Sequence, residues 1–350
     1  MKNILVTGGA GYIGSHTCLS LLEKGYDVFV IDSLVNGSIE SLERIKSFIK
    51  KKSKIKSNLH FFKVDLRNFS QTLQTFEKLA SEGIKIEAVI HFAGYKSVFE
   101  SIENPIEYWE NNVGATLNLL RVLANYKCKA FIFSSSATVY GLNMKSPISE
   151  DSNTLPINPY GETKIAVEKI LKSFFKSAKS TTSIACLRYF NPIGAHESSV
   201  IGEDPKGVPD NLFPYICKVA NKELGLLKVF GSDWPTKDGT CIRDFIHIMD
   251  LADGHIKTLE YLTYNKPCCI TLNLGTGKGT SVLDLIKTFE KVNKIDLNYS
   301  FVNRRDGDTP IMYANPLLAK KLLGWKAKKD INDMCLDGWN WFKNNPNGYR

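Results

Sequence analysis

The chain has 350 residues, a length that suits one large α/β domain with a smaller lobe. Hydrophobic residues make up 43% and charged residues 23%, which is ordinary for a folded globular protein and excludes wholesale disorder. No uncharged apolar stretch approaches the ~20 residues that cross a bilayer, and residues 1–7 predict a strand rather than a signal peptide. We therefore expect a cytoplasmic protein that does not insert into membranes.

Charge and cysteine usage exclude further classes of function. The net charge is +9, but six lysines of the excess lie between Lys46 and Lys56, and such a run is typical of a solvated helix end and loop. We therefore expect no nucleic-acid partner. The eight cysteines form no CxxC pair, and no His/Cys pair has the spacing of metal ligands. We expect reduced cysteines in the core and no metal site.

Strand and helix signals alternate along the first half of the chain. Short β-branched or aromatic runs predict strands over 2–7, 27–32, 60–64, 87–92, 130–134 and 183–189, and apolar spacing predicts helices near 13–24, 70–82, 104–126 and 159–179. This alternation predicts an α/β fold, a Rossmann-type doubly wound parallel sheet. Proline and glycine become frequent after residue 190. We expect a large domain over 1–190 and a smaller α/β lobe mainly over 191–350, with the chain crossing back to the large domain and a frayed tail over 344–350.

The first predicted strand leads into a glycine-rich loop, Gly8-Gly9-Ala10-Gly11-Tyr12-Ile13-Gly14, and then into a predicted helix. Glycines there let the chain turn tightly and approach a pyrophosphate, and the helix N-terminus presents N–H groups to its charge. The second predicted strand ends in Asp32, whose carboxylate can accept both ribose hydroxyls of NAD and would repel the 2′-phosphate of NADP. We predict an NAD site, lined further by residues that follow the next strands, Asp65, Leu66, Phe92 and Ala93.

A serine stretch and a Tyr-x-x-x-Lys pair are the predicted reacting groups. Ser136 follows the fifth predicted strand, and Tyr160 and Lys164 lie on one face of a predicted helix, ~6 Å apart along its axis. A base for a sugar hydroxyl needs a pKa of about 7, whereas free tyrosine titrates at about 10. The Lys164 ammonium would lower that pKa by ~2 units at an effective dielectric of ~20, and the positive nicotinamide ring of NAD⁺ can supply the remainder. His91 and His247 lie in apolar surroundings and are predicted to be structural.

With these residues in place, the chain resembles the UDP-glucose 4-epimerases of the extended short-chain dehydrogenase/reductase family nearly from end to end. The most specific stretches are VTGGAGYIGSH (6–16), VIHFAGYK (89–96), FIFSSSATVYG (131–141), LRYFNPIGAH (187–196), DGTCIRDFIHIMD (238–250) and RRDGD (304–308). The resemblance implies an isomerase of galactose metabolism that interconverts UDP-galactose and UDP-glucose through a transient 4-keto sugar. It also implies that Tyr160 takes the O4 proton, that Ser136 assists at O4, and that Lys164 also bonds the nicotinamide ribose.

Carried over position by position, the resemblance implies two sets of binding residues. The set around NAD is Gly8, Gly11, Tyr12, Ile13, Gly14, Asp32, Asn36, Asp65, Leu66, Phe92, Ala93, Lys96, Asn111 and Tyr189 or Phe190. The set around the UDP-sugar is Asn191, Asn211, Leu212, Val229 or Phe230, Arg243, Arg305, Asp308 and Met312. Arginine can place two donors on a phosphate and a carboxylate can accept ribose hydroxyls, which suits the second set. The domain over 1–190 would then bind NAD, and the lobe over 191–350 would mainly bind the UDP-sugar.

Three features distinguish this chain within the family pattern. A lysine-rich insertion covers 46–56, and Tyr95 precedes Lys96 where the family often has an aliphatic residue. Met312 stands where a small side chain in the family admits an N-acetyl group at C2, so we predict poor or partial activity on UDP-N-acetylglucosamine. Because the family usually dimerises through two helices per subunit, here near 104–126 and 159–179, we also expect a homodimer.

Other functions on the same scaffold stay open at this point. One is an epimerase for another UDP-sugar, an N-acetylhexosamine or a pentose. A nucleotide-sugar 4,6-dehydratase needs an acidic acid/base pair beside the serine, which Ser136-Ala137-Thr138 does not provide. A regulator that binds NAD without catalysis commonly lacks the tyrosine or the lysine, and both are present here.

Overall fold

The computed structural model describes residues 2–52, 55–142, 145–177, 181–207, 209–305 and 307–350. Lys54 of the lysine-rich insertion, Asp306 of the RRDGD stretch and residues 178–179 of the last predicted helix lie outside these ranges. Within them the strands are β1 (Asn3–Thr7), β2 (Asp27–Asp32), β3 (Leu59–Lys63), β4 (Ala88–His91), β5 (Ala130–Ser136), β6 (Ser183–Tyr189), β7 (Asn191–Ile193), β8 (Leu227–Phe230), β9 (Ile242–Arg243), β10 (Phe245–His247), β11 (Cys269–Leu274), β12 (Thr280–Ser281), β13 (Tyr299–Val302) and β14 (Ile311–Met312). The helices are α1 (Tyr12–Glu23), α2 (Ile39–Lys51), α3 (Phe69–Ser81), α4 (Val98–Glu103), α5 (Pro105–Tyr108), α6 (Ala115–Leu123), α7 (Pro159–Lys176), α8 (Leu212–Ala220), α9 (Ile248–Tyr264), α10 (Val282–Asn293), α11 (Leu317–Leu323) and α12 (Ile331–Asn344). In the described part of the chain we find no helix that combines the length and the apolar character needed to span a bilayer.

Within the described residues, seven strands form one sheet in the order β11-β6-β5-β4-β1-β2-β3. β1 pairs in parallel with β2 and β4, and the β2–β3 and β4–β5 pairs are parallel as well. Every residue of β2 and β6 is buried, as expected for strands covered by helices on both faces. The order 3-2-1-4-5-6 is that of a Rossmann doubly wound sheet, so the predicted fold class is confirmed.

The predicted elements agree closely with the observed ones. All six predicted strands are present, with ends that agree to within two residues, and the helices predicted near 13–24, 70–82 and 159–179 correspond to α1, α3 and α7. The sequence pattern did not predict α2 or β11. Lys50 and Lys51 of the lysine-rich insertion form the last turn of α2, where cations interact favourably with the helix C-terminus.

The helix predicted near 104–126 is interrupted. Pro105 opens α5, a π-helical stretch covers Trp109–Gly114, and α6 begins at Ala115. A π-helical turn changes the direction in which the following side chains point, and such turns often occur at functional sites. Asn112 lies inside this stretch and is 3% exposed.

The described chain divides into two compact units. Unit 1 comprises Met1–Gly141, Thr154–Arg188 and Ala252–Leu272, and unit 2 comprises Leu142–Asn153, Tyr189–Leu251 and Asn273–Arg350. The sequence suggested a boundary near residue 190. In the structure, most of α9 and the start of β11 belong to unit 1, whereas the short segment over 142–153 belongs to unit 2.

Each unit has its own apolar core. In unit 1 buried side chains of the sheet pack against α3, α6 and α7, as Phe131, Leu119 and Val167 illustrate. In unit 2 β7 pairs with β10, β13 pairs with β8, and β12, β9 and β14 form a small sheet. Phe289 of α10 packs edge-to-face on Trp339 of α12 at 5.7 Å between ring centroids, which anchors the second core.

The C-terminal tail is held in place, so the expected fraying is wrong. The backbone N–H of Tyr349 donates to Asp204 at 3.0 Å, and the Tyr349 hydroxyl donates to the carbonyl oxygen of Gly202 at 3.1 Å. Asn345 likewise donates to the carbonyl oxygen of Ser199 at 3.2 Å. These partners stand 145 to 147 residues earlier in the chain, so the polar composition of the tail does not reveal them.

Candidate functional site

The glycine-rich loop joins β1, in the middle of the sheet, to α1. Gly8 has φ +69°, and a Cβ there would lie 2.6 Å from the backbone nitrogen of Ala93. A Cβ on Gly14 would lie 2.2 Å from the carbonyl oxygen of Gly8. Both positions therefore require glycine, which keeps the loop backbone bare. The N-cap residue of α1 is Gly11, which has no side chain to compete for the first N–H groups of the helix, including those of Tyr12 and Ile13. The loop therefore fits the pyrophosphate of a dinucleotide.

Asp32 ends β2 and is buried beside the same loop. Its Oδ2 accepts a hydrogen bond from the N–H of Ala10 at 3.0 Å, and its Oδ1 accepts one from the N–H of Leu34 at 2.8 Å. A carboxylate oxygen can accept more than one hydrogen bond, so a carboxylate at this place is chemically suited to ribose hydroxyls. The segment that follows is attached to the loop by Ser38, whose N–H donates to Ala10 O at 3.1 Å, and the exposed Asn36 lies on it.

The two residues predicted after β3 have different environments. Both oxygens of Asp65 accept hydrogen bonds from the Arg67 guanidinium, at 2.7 to 3.1 Å, and these bonds hold the pKa of Asp65 below its usual range. Leu66 is buried in the core of unit 1, and Asn118 donates to its carbonyl oxygen at 3.1 Å. Asp65 is thus ionised at neutral pH, while the side chain of Leu66 serves packing.

An asparagine that the sequence did not single out organises the loop after β4. Asn112 accepts a hydrogen bond from the N–H of Tyr95 at 2.7 Å and donates to Tyr95 O at 3.1 Å and to Thr163 Oγ1 at 3.0 Å. It thereby links this loop to α7. The predicted residue Asn111 donates to Asn112 Oδ1 at 3.2 Å and is less buried. A polar residue on the apolar face of the predicted helix was the signal that could have identified Asn112.

Phe92, Ala93 and Lys96 lie on this loop at increasing distance from β4. The carbonyl carbon of Phe92 and the nitrogen of Ala93 are the atoms that a Cβ on Gly8 would meet, so both residues adjoin the glycine-rich loop. The ring of Phe92 also packs on His255, with centroids 4.9 Å apart. Lys96 is exposed. The structure therefore brings Phe92 and Ala93 to the predicted NAD site and leaves Lys96 on the surface of the loop.

The predicted reacting groups come together at the end of β5. Lys164 is buried on α7, and its Nζ donates to the carbonyl oxygen of Ser134 at 2.8 Å. The same ammonium lies 5.6 Å from the ring centroid of Tyr160, close to the ~6 Å expected from the helix rise. The Ser136 hydroxyl is close enough to Tyr160 to affect its pKa, and it accepts a bond from Thr138 Oγ1 at 3.0 Å. Ser136, Tyr160 and Lys164 thus form one cluster.

Burial dominates the pKa values of this cluster. Burial raises the pKa of Tyr160 above its ordinary value, and the neighbouring Ser136 hydroxyl opposes that rise. Burial lowers the pKa of Lys164 to about 8. The lowering of the Tyr160 pKa expected from Lys164 is therefore not the net effect, because the loss of hydration of the phenolate outweighs the effect of Ser136.

His91 lies behind the cluster and is 1% exposed. Its Nδ1 is 2.6 Å from Thr7 Oγ1, and its Nε2 is 2.9 Å from Thr116 Oγ1. Burial and then the charge of Lys164 lower the pKa of His91 to about 3, so the imidazole is neutral at physiological pH. A neutral ring with both nitrogens hydrogen-bonded supports the predicted structural role.

A buried ion pair that the sequence did not predict lies one helical turn beyond Lys164. Glu168 accepts hydrogen bonds from Arg188 Nε at 3.0 Å and Nη2 at 2.7 Å, and Ser135 Oγ donates to it at 2.6 Å. The side chains of Arg188 and Glu168 are 6% and 8% exposed. The guanidinium of Arg188 also lies 4.8 Å from the ring centroid of Tyr140. A buried pair with this bidentate geometry fixes α7 against β5 and β6.

In unit 2, Arg243, Asp308 and Met312 come together. The register of β9 and β14 places Met312 opposite Arg243. Arg243 Nη2 donates to Asp308 Oδ1 at 3.0 Å, and Nη1 donates to the carbonyl oxygen of Thr309 at 2.7 Å. The side chains of Arg243 and Asp308 are 15% and 32% exposed, so the guanidinium is held in one orientation and still reaches solvent.

The alternation of β8 separates Val229 from Phe230. Val229 is 1% exposed in the core of unit 2, whereas Phe230 is 41% exposed. The guanidinium of Arg305 lies 5.9 Å from the ring centroid of Phe230. The neighbouring Arg304 instead lies over the ring of Trp234, at 4.2 Å. The side chain of Phe230, together with Arg305, is therefore the one available to a ligand.

The remaining predicted residues lie at the starts of β7 and α8 and at the end of β6. Asn191 is exposed, and its N–H donates to Asp244 O at 2.9 Å. Asn211 is the N-cap residue of α8 and donates to Glu203 at 3.2 Å, while Leu212 packs against the core of unit 2. Tyr189 and Phe190 are 5% and 6% exposed.

Asp244 is a further residue that sequence reasoning missed, although it directly follows Arg243. It is fully buried, and its oxygens accept hydrogen bonds from the N–H groups of Thr276 at 2.8 Å, Gly277 at 3.0 Å and Ala314 at 3.1 Å. Burial raises the pKa of Asp244, and these bonds oppose the rise. By holding Ala314, just after β14, Asp244 supports the strand that carries Met312.

The cysteines and the acidic side chains form no second chemical site in the described part of the chain. All eight cysteines, each within that part, are free, and six are buried. Burial raises the pKa of Cys128 and Cys335 to about 12, so these thiols stay protonated and unreactive. Across the described residues, no group of three or more His, Cys, Asp or Glu side chains is placed to hold a metal ion.

The chain matches known proteins over nearly its whole length. A family model described as GDP-mannose 4,6 dehydratase matches residues 5–337. The UDP-glucose 4-epimerase of Bacillus subtilis (strain 168) is 48% identical over 347 residues, which cover 99% of this chain and 98% of that protein. The bifunctional UDP-glucose 4-epimerase and UDP-xylose 4-epimerase 1 of Pisum sativum is 49% identical over 349 residues, which cover 99% and 97%.

Solved structures agree with these relatives. The UDP-glucose-4-epimerase of Stenotrophomonas maltophila, with bound NAD and formylated UDP-arabinopyranose, has a TM-score of 0.93 and 42% identity and covers 99% of each chain. The UDP-glucose 4-epimerase of Bifidobacterium longum, in complex with NAD⁺ and UDP, has a TM-score of 0.91 and 44% identity and covers 99% of this chain and 100% of that one. The chain therefore belongs to the UDP-glucose 4-epimerase family of the extended short-chain dehydrogenases/reductases.

Proposed function

We propose that this protein is an NAD-dependent UDP-glucose 4-epimerase, an isomerase that interconverts UDP-galactose and UDP-glucose. The observation that carries the proposal is the cluster of Ser136, Tyr160 and Lys164, which lies in the same unit as the glycine-rich loop. Relatives that are 48% identical along nearly the whole chain bear this name, and structures that resemble this one are complexes with NAD. Galactose metabolism is the physiological setting that we infer.

The residues of the cluster divide the proton chemistry among them. The glycine-rich loop and Asp32 would hold NAD⁺, which would supply reversible hydride transfer at C4 of the sugar by way of a transient 4-keto sugar. Tyr160 takes the proton from O4 as general base and gives it back when C4 is inverted. Ser136 orients the O4 hydroxyl and relays its proton, since its own hydroxyl lies beside Tyr160. Lys164 favours the phenolate form of Tyr160, because its ammonium lies beside the ring in a site where burial works against that form.

Unit 1 is the proposed NAD-binding domain. The bare backbone around Gly8 and Gly14, next to the N-terminus of α1, is suited to the pyrophosphate. Asp32 is suited to the adenosine ribose and disfavours NADP, because its buried carboxylate repels a 2′-phosphate. The proposed NAD contacts in unit 1 are Gly8, Gly11, Tyr12, Ile13, Gly14, Asp32, Asn36, Asp65, Leu66, Phe92, Ala93, Lys96 and Asn111. The remaining proposed contact, Tyr189 or Phe190, belongs to unit 2.

Unit 2 is the proposed UDP-sugar-binding lobe. Arg243 and Arg305 can each present several N–H donors to the diphosphate, and Asp308 can accept hydroxyls of the uridine ribose. Phe230 offers an exposed aromatic face beside Arg305. The other proposed contacts are Asn191, Asn211, Leu212 and Met312.

We further propose that the protein is a homodimer. Phe99, Ile102 and Ile106 of α4 and α5 are 55%, 61% and 70% exposed, so this short stretch presents a cluster of large apolar side chains. Such a patch on a folded protein marks an interaction site, and the family resemblance favours a second copy of this chain as the partner. A cytoplasmic location is supported by the cysteines, since all eight are free, which suits a reducing compartment.

Epimerisation without added cofactor is the direct test. Purified protein mixed with UDP-galactose should form UDP-glucose, and the denatured protein should release NAD. Tyr160→Phe should abolish nearly all turnover and keep the NAD, because the aromatic ring remains while the proton acceptor is lost. If the unaltered protein produced no inversion even with NAD⁺ added, the proposal would be wrong and a regulator that binds NAD would be favoured.

A second substrate class is worth a parallel measurement. One relative at 49% identity is named as both a UDP-glucose and a UDP-xylose 4-epimerase. UDP-xylose should therefore be offered beside UDP-galactose at equal concentration. A larger kcat/KM for UDP-xylose would reassign this protein to the pentose substrates.

A further inference from the structure

The charges around the reacting lysine are arranged in an unexpected way. Lys164 and Glu168 are four residues apart on α7, a spacing at which lysine and glutamate ordinarily pair on a helix. In the structure Glu168 instead pairs with Arg188 of β6, at 2.7 Å from Nη2 to Oε2, and accepts a bond from Ser135 at 2.6 Å. Lys164 Nζ donates to Ser134 O, beside the ring of Tyr160.

Within the described residues, the charges of Lys164, Glu168 and Arg188 are the main ones around Tyr160. Three other titratable side chains lie near these charges: His91 of β4, Cys186 of β6 and Cys269 of β11. The ring of Tyr140 packs against Arg188, and the charges of Lys172 and Lys176 act on Cys269. Burial keeps the nearest of these uncharged, because it lowers the pKa of His91 to about 3 and raises the pKa of both thiols. A change in the Glu168–Arg188 pair therefore acts on Tyr160 and Lys164 without a change in the charge of His91 or of either thiol.

We infer that Arg188 is a positioning residue for the epimerase reaction: with Ser135 it holds the carboxylate of Glu168 and keeps that charge from pairing with Lys164, whose ammonium stays directed at Tyr160. This inference rests on the proposed function, in which Tyr160 is the base. Arg188 suits the role because its planar guanidinium holds both carboxylate oxygens at once and cannot lose its proton.

The size and sign of the effect follow from distance. Glu168 is two helical turns from Tyr160, about 12 Å along the axis. At an effective dielectric of about 20, an uncompensated unit charge at that distance shifts the pKa of the phenol by about one unit. Loss of Arg188 therefore raises the pKa of Tyr160, and pairing of Glu168 with Lys164 adds to the rise. Loss of Glu168 leaves Arg188 uncompensated and lowers the pKa of Tyr160.

The test is the pH dependence of kcat and KM with UDP-galactose, from about pH 6 to about pH 10, in holoenzyme. Arg188→Met should move the acidic limb of kcat up by about one pH unit and reduce kcat at pH 7 about tenfold, with little change in KM. Glu168→Gln should move the limb in the opposite direction. The double variant, which removes both charges, should return the limb to its original position, and Arg188→Lys should keep it there.

Controls separate positioning from a merely structural role. Arg44→Met breaks a partly exposed pair with Glu40 on α2 and should leave the limb in place. If Arg188→Met does not fold, Ser135→Ala should still produce a smaller upward shift, because it removes one of the bonds that hold Glu168. Shifts of the same sign in both single variants, or a double variant that does not return, would overturn the inference. Absence of turnover in the unaltered protein would instead refute the proposed function.

Discussion

Replacing Gly14 by alanine tests how closely the glycine-rich loop packs on its own helix. Gly14 lies in α1, where alanine ordinarily stabilises a helix by about 1 kcal/mol relative to glycine. Here the new Cβ would lie 2.2 Å from Gly8 O and 2.8 Å from Gly9 Cα, whereas ordinary contact begins at 3.4 Å. The loop must therefore move by about 1 Å, at a cost of ~1–3 kcal/mol. We expect Gly14→Ala to destabilise the protein, although alanine ordinarily stabilises a helix. The same movement displaces the backbone proposed to bind the pyrophosphate.

Two measurements follow the effects of Gly14→Ala separately. Urea unfolding gives the free energy of unfolding, and NAD released on denaturation gives the occupancy of the site. Both should be measured with saturating NAD⁺ and after its removal, because a bound ligand itself stabilises the folded state. We expect Gly14→Ala to lose ~1–3 kcal/mol without NAD and to retain little NAD after purification.

Gly114→Ala is the matched control. Gly114 has helical angles, φ −58° and ψ −49°, and the nearest atom to its Cβ would be Trp109 O at 4.0 Å. This substitution should therefore stabilise the protein by ~0.5–1 kcal/mol and leave NAD in place. A Gly14→Ala protein as stable as Gly114→Ala, and still loaded with NAD, would refute the packing argument.

Three further outcomes are expected. Burial alone would raise the pKa of Asp337, but hydrogen bonds from His247 and Lys329 outweigh it and lower that pKa. The ionised carboxylate therefore stabilises the fold above the unfolded pKa of about 4, and this stabilisation is lost as the pH falls through the lower folded pKa. Asp337→Asn should accordingly cost ~1–3 kcal/mol at pH 7 and much less in acid, by urea unfolding at several pH values; a cost independent of pH would contradict this. Ile102→Asp should convert a dimer to a monomer in light scattering, and a monomeric parent protein would exclude the proposed assembly. Met312→Ser should raise turnover of UDP-N-acetylglucosamine relative to UDP-glucose, whereas equal turnover of the two by the parent protein would remove Met312 as the determinant.

Local patterns in the chain were sufficient for the elements and for part of the site. Alternating apolar runs predicted six of the seven strands of the Rossmann sheet and three of its helices, because side-chain periodicity depends on neighbours within one or two turns. The glycine spacing around Gly8 and Gly14 predicted a loop that no larger residue can form. The separation of Tyr160 and Lys164 predicted that they share a helical face, and the two groups lie 5.6 Å apart from ring centroid to Nζ.

The tertiary structure decided what depends on distant segments. Asn112 hydrogen-bonds residues 17 and 51 positions away, Glu168 pairs with Arg188, 20 positions away, and Asp244 holds Ala314, 70 positions away. Such bonds need donors and acceptors within ~3 Å of each other, and a residue pattern contains no such distances. Burial is equally non-local. It raised the pKa of Tyr160 where the charge of Lys164 alone predicted a fall, because desolvation depends on every segment that covers the phenol.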